Sequence, residues 1–292
     1  MKTCALTLLL AALNVFGADL ITCGGAQVRL FDPAKPNKPK WQWQASDSPS
    51  IPDDMHGRFR STDECKPYAG DRLLITSSSG GVALINRETK KCLFLAQAPN
   101  AHSACLLPGN QLAVAASHGG DELQFYDVMD KRRPAAPRQK IPLPGAHGSV
   151  WDAKRNCLWA LGTDDLLRIQ TEAQGRWSVK QRWKLPSPGG HDLSVRDEVK
   201  LYATSSTQVL LFDRDQGLFT AHPSIGAHTK VKSVDRDPKT GGVVYHQGTK
   251  TTWWSDQIRF VDREPIRLPN ARLYKVRWDL PMPVPGTRRS GR

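Results

Sequence analysis

An all-β, six-bladed β-propeller is the fold that the sequence predicts, on three observations. A short motif of apolar residues closed by a polar one returns six times: Val28–Asp32, Val82–Asn86, Leu123–Asp127, Leu166–Gln170, Val209–Asp213 and Ile258–Asp262. The closing residues fall at 32, 86, 127, 170, 213 and 262. That spacing, roughly 40–50 residues, is the repeat of a four-stranded propeller blade. Each copy is preceded by a second strand-like run that ends in small or polar residues. No stretch keeps a helical apolar period over three turns.

Within each repeat the elements follow in order. The run before the motif is Leu20–Gly25, Leu73–Ser78, Leu112–Ser117, Leu158–Thr163, Leu201–Ser206 and Val243–Gly248. Short turns of Gly, Ser, Asp or Thr join it to the motif, which is a hairpin signal. An outer strand comes next, as in Trp41–Trp43, Cys92–Leu95, Arg182–Leu185 and Ile266–Leu268. The N-terminus supplies the second to fourth strands of a blade and lacks an inner one. The C-terminus supplies one unattached inner strand, Ala271–Trp278. Pairing the N-terminal strands with this C-terminal strand closes the ring and removes an open edge. The propeller is thus expected over residues 18–278, followed by a mobile, basic Pro/Gly-rich tail at 279–292.

The start of the chain has a different character. Lys2 precedes an apolar stretch from Thr3 to Phe16, and small residues follow at Gly17 and Ala18. Residues 1–17 read as a secretory signal peptide, which places the mature protein in the periplasm or outside the cell. No internal apolar run reaches the roughly 18 residues of a membrane helix, so no transmembrane segment is expected. Beyond the signal the cysteines are Cys23, Cys65, Cys92, Cys105 and Cys157. An odd number without a CxxC spacing argues for small buried residues and against a disulfide framework.

The chain carries 41 Lys and Arg against 28 Asp and Glu, a net charge of +13. In an exported protein that balance excludes nucleic acid and suits an acidic saccharide or an anionic envelope component. A monomer is expected.

The candidate site comes from aligning the entries to the inner strands. Four read Asn100-Ala101-His102, Gly145-Ala146-His147, Gly189-Gly190-His191 and Gly226-Ala227-His228. A fifth, Pro269-Asn270-Ala271-Arg272, carries Arg where the others carry His. Counting back from the following strand puts Asp63 at the same place in the sixth. One position per blade, read as Asp63, His102, His147, His191, His228 and Arg272, is expected to converge at one mouth of the central channel.

Three readings of this ring stand open. Gly-His pairs can lock blades, although the regular turn Asp and strand-ending Trp-Asp of such repeats are missing. His102, His147, His191, His228 and Asp63 can surround a divalent transition metal, Mn, Fe or Zn. A metal-free acid–base site is the third, with Arg272 holding a carboxylate. The same face carries Trp253 and Trp254, suited to stacking on sugar rings, with His246 and Gln247 beside them. The long loop 46–62 brings His56 and is a candidate lid.

Three segments also carry a resemblance. Glu64-Cys65-Lys66-Pro67 with Leu74–Ile85, Asn100–Pro108 and Trp41-Gln42-Trp43 resemble an exported bacterial family of six-bladed propellers, a domain of unknown function. The resemblance spans nearly the whole mature chain; it implies fold and export and brings no activity with it. The functional expectation is therefore an axial site for an acidic saccharide, with or without metal. If it is catalytic, a polysaccharide lyase is the natural class: metal or Arg272 would neutralise a uronate and a ring His would take the adjacent proton. No catalytic residue is assigned. The alternative is a non-catalytic propeller that binds protein or glycan, its His ring structural.

Overall fold

The computed structural model describes residues 18–286, so the expected signal peptide lies outside the described residues. Blade I begins with β1 (Leu20–Gly24), β2 (Gln27–Phe31) and β3 (Pro39–Trp43). Blade II is β4 (Thr62–Tyr68), β5 (Arg72–Ser77), β6 (Gly81–Asn86) and β7 (Cys92–Gln97). Blade III is β8 (Ala101–Leu107), β9 (Gln111–Ala116), β10 (Glu122–Asp127) and β11 (Gln139–Pro142). Blade IV is β12 (Gly148–Asp152), β13 (Cys157–Leu161), β14 (Asp165–Thr171) and β15 (Trp177–Lys184). Blade V is β16 (Asp192–Val195), β17 (Lys200–Thr204), β18 (Val209–Asp213) and β19 (Leu218–Ala221). Blade VI is β20 (Val231–Arg236), β21 (Val243–Gln247), β22 (Gln257–Phe260) and β23 (Ile266–Arg267).

The last strand, β24 (Lys275–Trp278), pairs antiparallel with β1, Leu20 against Trp278 and Cys23 against Lys275. It is the inner strand of blade I, and the six four-stranded sheets close into a ring. The expected inner strand from Ala271 is shorter than predicted, because Ala271 donates back to the Leu268 carbonyl in a turn. Leu273 then bonds to Ser255 of blade VI.

Middle strands read as near-continuous apolar runs because both faces of a blade pack on a neighbour. In β5 five of six residues are buried. The interface of blades I and II gathers Ile21, Cys23, Trp43, Cys65 and Ile75. Each such cluster contributes on the order of 1.5–3 kcal/mol for every large apolar side chain removed from water. The five cysteines from Cys23 to Cys157 are buried and free, as expected of small core residues. No helix among the described residues is long and apolar enough to cross a membrane.

Two segments differ from expectation. The loop 46–62 is no lid: Ile51, Met55 and Phe59 are buried between blades I and II, with Phe59 edge-on to Trp43 at 5.6 Å. The described part of the tail is seated on the propeller. Met282 exchanges backbone bonds with Pro67 and Ala69 at 3.0 and 2.8 Å, and Asp279 pairs with Arg87 at 2.7 Å.

Candidate functional site

The strand registers decide which side chains form the ring. In β4, β8 and β20 the ladder breaks at one residue, leaving Asp63, His102 and Lys232 bulged out of register. His147, His191 and Tyr274 occupy the same place just ahead of β12, β16 and β24. The ring is therefore Asp63, His102, His147, His191, Lys232 and Tyr274. The imidazole centroids of His102 and His147 are 4.1 Å apart, and those of His147 and His191 are 5.3 Å apart. Tyr274 lies 5.7 Å from His102, and Lys232 Nζ lies 2.9 Å from His191 Nε2.

Two expected members are thus corrected. The entry loop of blade VI is longer, and its left-handed residue is Lys230 rather than Gly226. Lys230-Val231-Lys232 therefore matches Asn100-Ala101-His102, and His228 stays outside against Tyr245, 5.6 Å away. Blade I inserts Leu273 and Tyr274 after Arg272. The Arg272 guanidinium instead lies over the Trp254 ring at 4.6 Å, on the surface.

The ring is largely buried, and its histidines are held neutral. Nδ1 of His102 sits 3.0 Å from the Asn100 carbonyl, and Nδ1 of His147 sits 2.7 Å from that of Gly145. These bonds place the proton on Nδ1 and leave Nε2 as the lone-pair nitrogen. Burial pushes His102 down to about 3 and His191 to about 2, with nearby lysines adding repulsion, and it lowers His147 in the same direction. Asp63 is raised to about 7 by burial, against the opposing bond from the Ser78 backbone N–H. Its Oδ1 is 3.8 Å from His102 Nε2. Among the described residues, no group of three or more His, Cys, Asp or Glu could hold a metal ion as the side chains stand.

Below the ring the channel is plugged by charge. Arg277 pairs with Asp192 at 2.6 Å and Glu64 at 3.1 Å, while Lys275 pairs with the same two acids at 3.0 and 3.3 Å. Lys66 Nζ donates to Ser103 Oγ and to the carbonyls of Ala104 and Ser149. Burial opposes ionisation of Glu64 and Asp192, but Arg277 and Lys275 outweigh it and hold both below the usual carboxylate range.

At the opposite mouth, where the inner strands end, lies a cavity of about 590 Å³. Its lining includes Trp151, Asp235, Arg236 and Arg277, with Leu280 and Met282 of the tail. Six of its lining residues are Lys or Arg and four are Asp or Glu. Most cations are already engaged: Arg214 binds Asp152 at 2.9 Å, and Arg196 pairs with Asp197. Arg236 forms no ion pair among the described residues. Asp235 is raised to about 6 by burial, and its oxygens accept from the N–H groups of Trp278 and Arg236.

A family model covers residues 25–283 of this propeller. The chain belongs to DUF6528, a family of unknown function. No curated protein matches it.

Of the remaining expected site residues of this DUF6528 member, Trp253 packs against the ring at Tyr274, and the others are engaged elsewhere. His246 is fully buried and meets Ser255 Oγ at 3.0 Å, and Gln247 donates to the Thr229 carbonyl at 2.8 Å. Trp253 is exposed, edge-on to Tyr274 at 5.5 Å, and Trp254 lies under Arg272. His56 is held on the outer loop by the Ile51 carbonyl. Sequence reasoning missed the cavity, Lys232 and the charge plug. The alternating charges Glu64/Lys66 and Lys275/Arg277, two residues apart on inner strands, were the available signal for the plug.

Proposed function

We propose that this protein is an exported binding propeller that takes a unit of an acidic saccharide into the cavity at the strand-exit mouth. The observation that carries the reading is Trp151 sharing that cavity with Arg236, a guanidinium that forms no ion pair among the described residues. Trp151 offers an aromatic face for a sugar ring, and Arg236 a fork for a uronate carboxylate. The volume falls in the usual range for small-ligand pockets, roughly 300–1,000 Å³. The excess of positive charge on the chain adds attraction for an anion. Export rests on Lys2 and the apolar stretch behind it. Binding fits better than lyase chemistry, because both oxygens of Asp235 accept backbone N–H bonds and the ring histidines belong to the other mouth.

Calorimetric titration with trigalacturonate tests this. Saturable binding is expected, weakened about tenfold or more in Arg236→Ala, since one charge-assisted bond is worth ~1.5–3 kcal/mol, and weakened in Trp151→Ala by loss of the stacking face. Arg272→Ala is expected to bind as the parent does. Absence of binding, or loss with Arg272→Ala alone, would overturn the reading.

One observation favours a second reading. The Nδ1 bonds of His102 and His147 present both Nε2 lone pairs, the usual arrangement of metal-binding imidazoles. As the side chains stand they form no metal site, so Asp63 would have to turn toward them and His191 be freed of Lys232 for the group to hold Mn, Fe or Zn; His228 would take no part. Elemental analysis of protein purified without chelator decides. Stoichiometric metal, lost in folded His102→Ala/His147→Ala, establishes it. Metal-free parent protein that stays so after loading with these ions rules it out.

A further inference from the structure

Three lysines are buried among the described residues: Lys66, Lys232 and Lys275. Lys66 and Lys275 both stand against Glu64, and Lys275 also against Asp192. Lys232 is 6% exposed and forms no ion pair among the described residues. Its Nζ meets the imidazole His191 Nε2 at 2.9 Å, and Ser206 Oγ approaches the same nitrogen at 3.5 Å. An ammonium taken out of water without a counter-charge is strongly disfavoured. The surrounding lysines, Lys230 and Lys275, repel it further.

His191 is unsatisfied in either tautomer. With the proton on Nδ1, a buried N–H has no acceptor. With the proton on Nε2, that N–H faces the Lys232 ammonium, Ser206 Oγ at 3.5 Å is its acceptor, and the buried Nδ1 lone pair is left without a donor. Buried N–H groups without partners are rare in native proteins. The corner is thus rich in donors and poor in acceptors. The nearest ring carboxylate, Asp63, is turned elsewhere, one oxygen on the Ser78 N–H and the other 3.8 Å from His102. His191 is half-buried, so the corner is reached from the ring face.

We infer that the Lys232–His191–Ser206 corner is a binding site for a small oxyanion, a carboxylate or a phosphate. The anion accepts from Lys232 Nζ, from the Nε2–H of His191 and from Ser206 Oγ. It moves the His191 proton to Nε2 and supplies the counter-charge that Lys232 lacks. The site lies at the mouth opposite the saccharide cavity and does not depend on it.

The test uses the mature protein at pH 7 and constant ionic strength, titrated separately with inorganic phosphate, acetate and chloride. Thermal midpoint and the ¹⁵N shifts of the His191 ring are read. A saturable rise in midpoint with phosphate or acetate is expected, accompanied by a shift of the His191 Nε2 resonance. The more effective of the two names the source of the oxyanion, and chloride is expected to do neither. Lys232→Met keeps the length of the side chain and removes the charge. It is expected to fold, to be at least as stable as the anion-free parent, and to lose the response at least tenfold in affinity. Ser206→Ala is expected to weaken it severalfold. Unmoved His191 resonances with both oxyanions overturn the inference even if Lys232→Met does not fold. An undiminished response in Lys232→Met overturns it as well.

Discussion

Asp192→Ala is expected to destabilise the propeller by about 3–5 kcal/mol, the cost of breaking a buried ion pair from one side. Asp192 is 1% exposed, and its carboxylate takes Arg277 at 2.6 Å, Lys275 at 3.0 Å and the Val234 N–H at 3.1 Å. The plug holds three cations, Lys66, Lys275 and Arg277, against the two acids Glu64 and Asp192. Removing one acid leaves three positive charges around Glu64 alone. Water cannot easily replace the lost charge, since Glu64 and Lys275 are fully buried. β24 also carries both Lys275 and Arg277, so the loss acts on the strand that closes the ring. Asp192→Asn keeps an acceptor for Val234 and should cost less than Ala. Urea denaturation followed by tryptophan fluorescence gives the numbers. Glu198→Ala, at the exposed pair with Lys154, is the control and should leave the midpoint in place. Equal midpoints for Asp192→Ala and the parent would mean that the plug is a by-product of closure rather than part of what holds it.

The blades were legible in the sequence because each middle strand is buried on both faces and announces itself as an apolar run. The motif Val209–Asp213 coincides to the residue with β18, and the unattached C-terminal strand pairs with the open N-terminal blade. The entries to the inner strands were less legible. The motif Gly226-Ala227-His228 looks like Gly145-Ala146-His147, yet blade VI has four more residues before its strand. A motif fixes chemistry only when the loop that carries it has the same length. The true homologue, Lys230-Val231-Lys232, shares the left-handed residue and no side-chain chemistry. Three of the four histidines did converge, and Asp63 with them. The cavity was illegible for a different reason. It is made by strand ends and by the returning tail, and Met282 is brought to Tyr68 by ring closure rather than by local pattern.

Asp63→Asn is expected to stabilise the protein at pH 8.5 by up to about 4 kcal/mol, and the gain should shrink as pH falls. Burial raises the Asp63 carboxyl to about 7, against roughly 3.9 in an unfolded chain. A raised carboxyl pKa favours the folded state fully below about 4 and loses that contribution as pH climbs through 7. Each unit of the difference is worth 1.36 kcal/mol. Asn does not ionise, and its amide oxygen still accepts the Ser78 N–H, so the variant escapes the alkaline loss. At pH 5 only about one unit of the difference remains, and the gain should fall to roughly 1–2 kcal/mol. The histidines act with the opposite sign. His102 and His191, lowered by burial to about 3 and about 2, stabilise above 6.5 and withdraw that support as pH drops below it. Both proteins should therefore weaken toward pH 4, in parallel except for the Asp63 contribution. Urea titrations at pH 8.5, 7 and 5 separate the two. A gain equal at all three would assign the effect to packing, and a loss at pH 8.5 would mean that the Asp63 charge is needed by His102, 3.8 Å away.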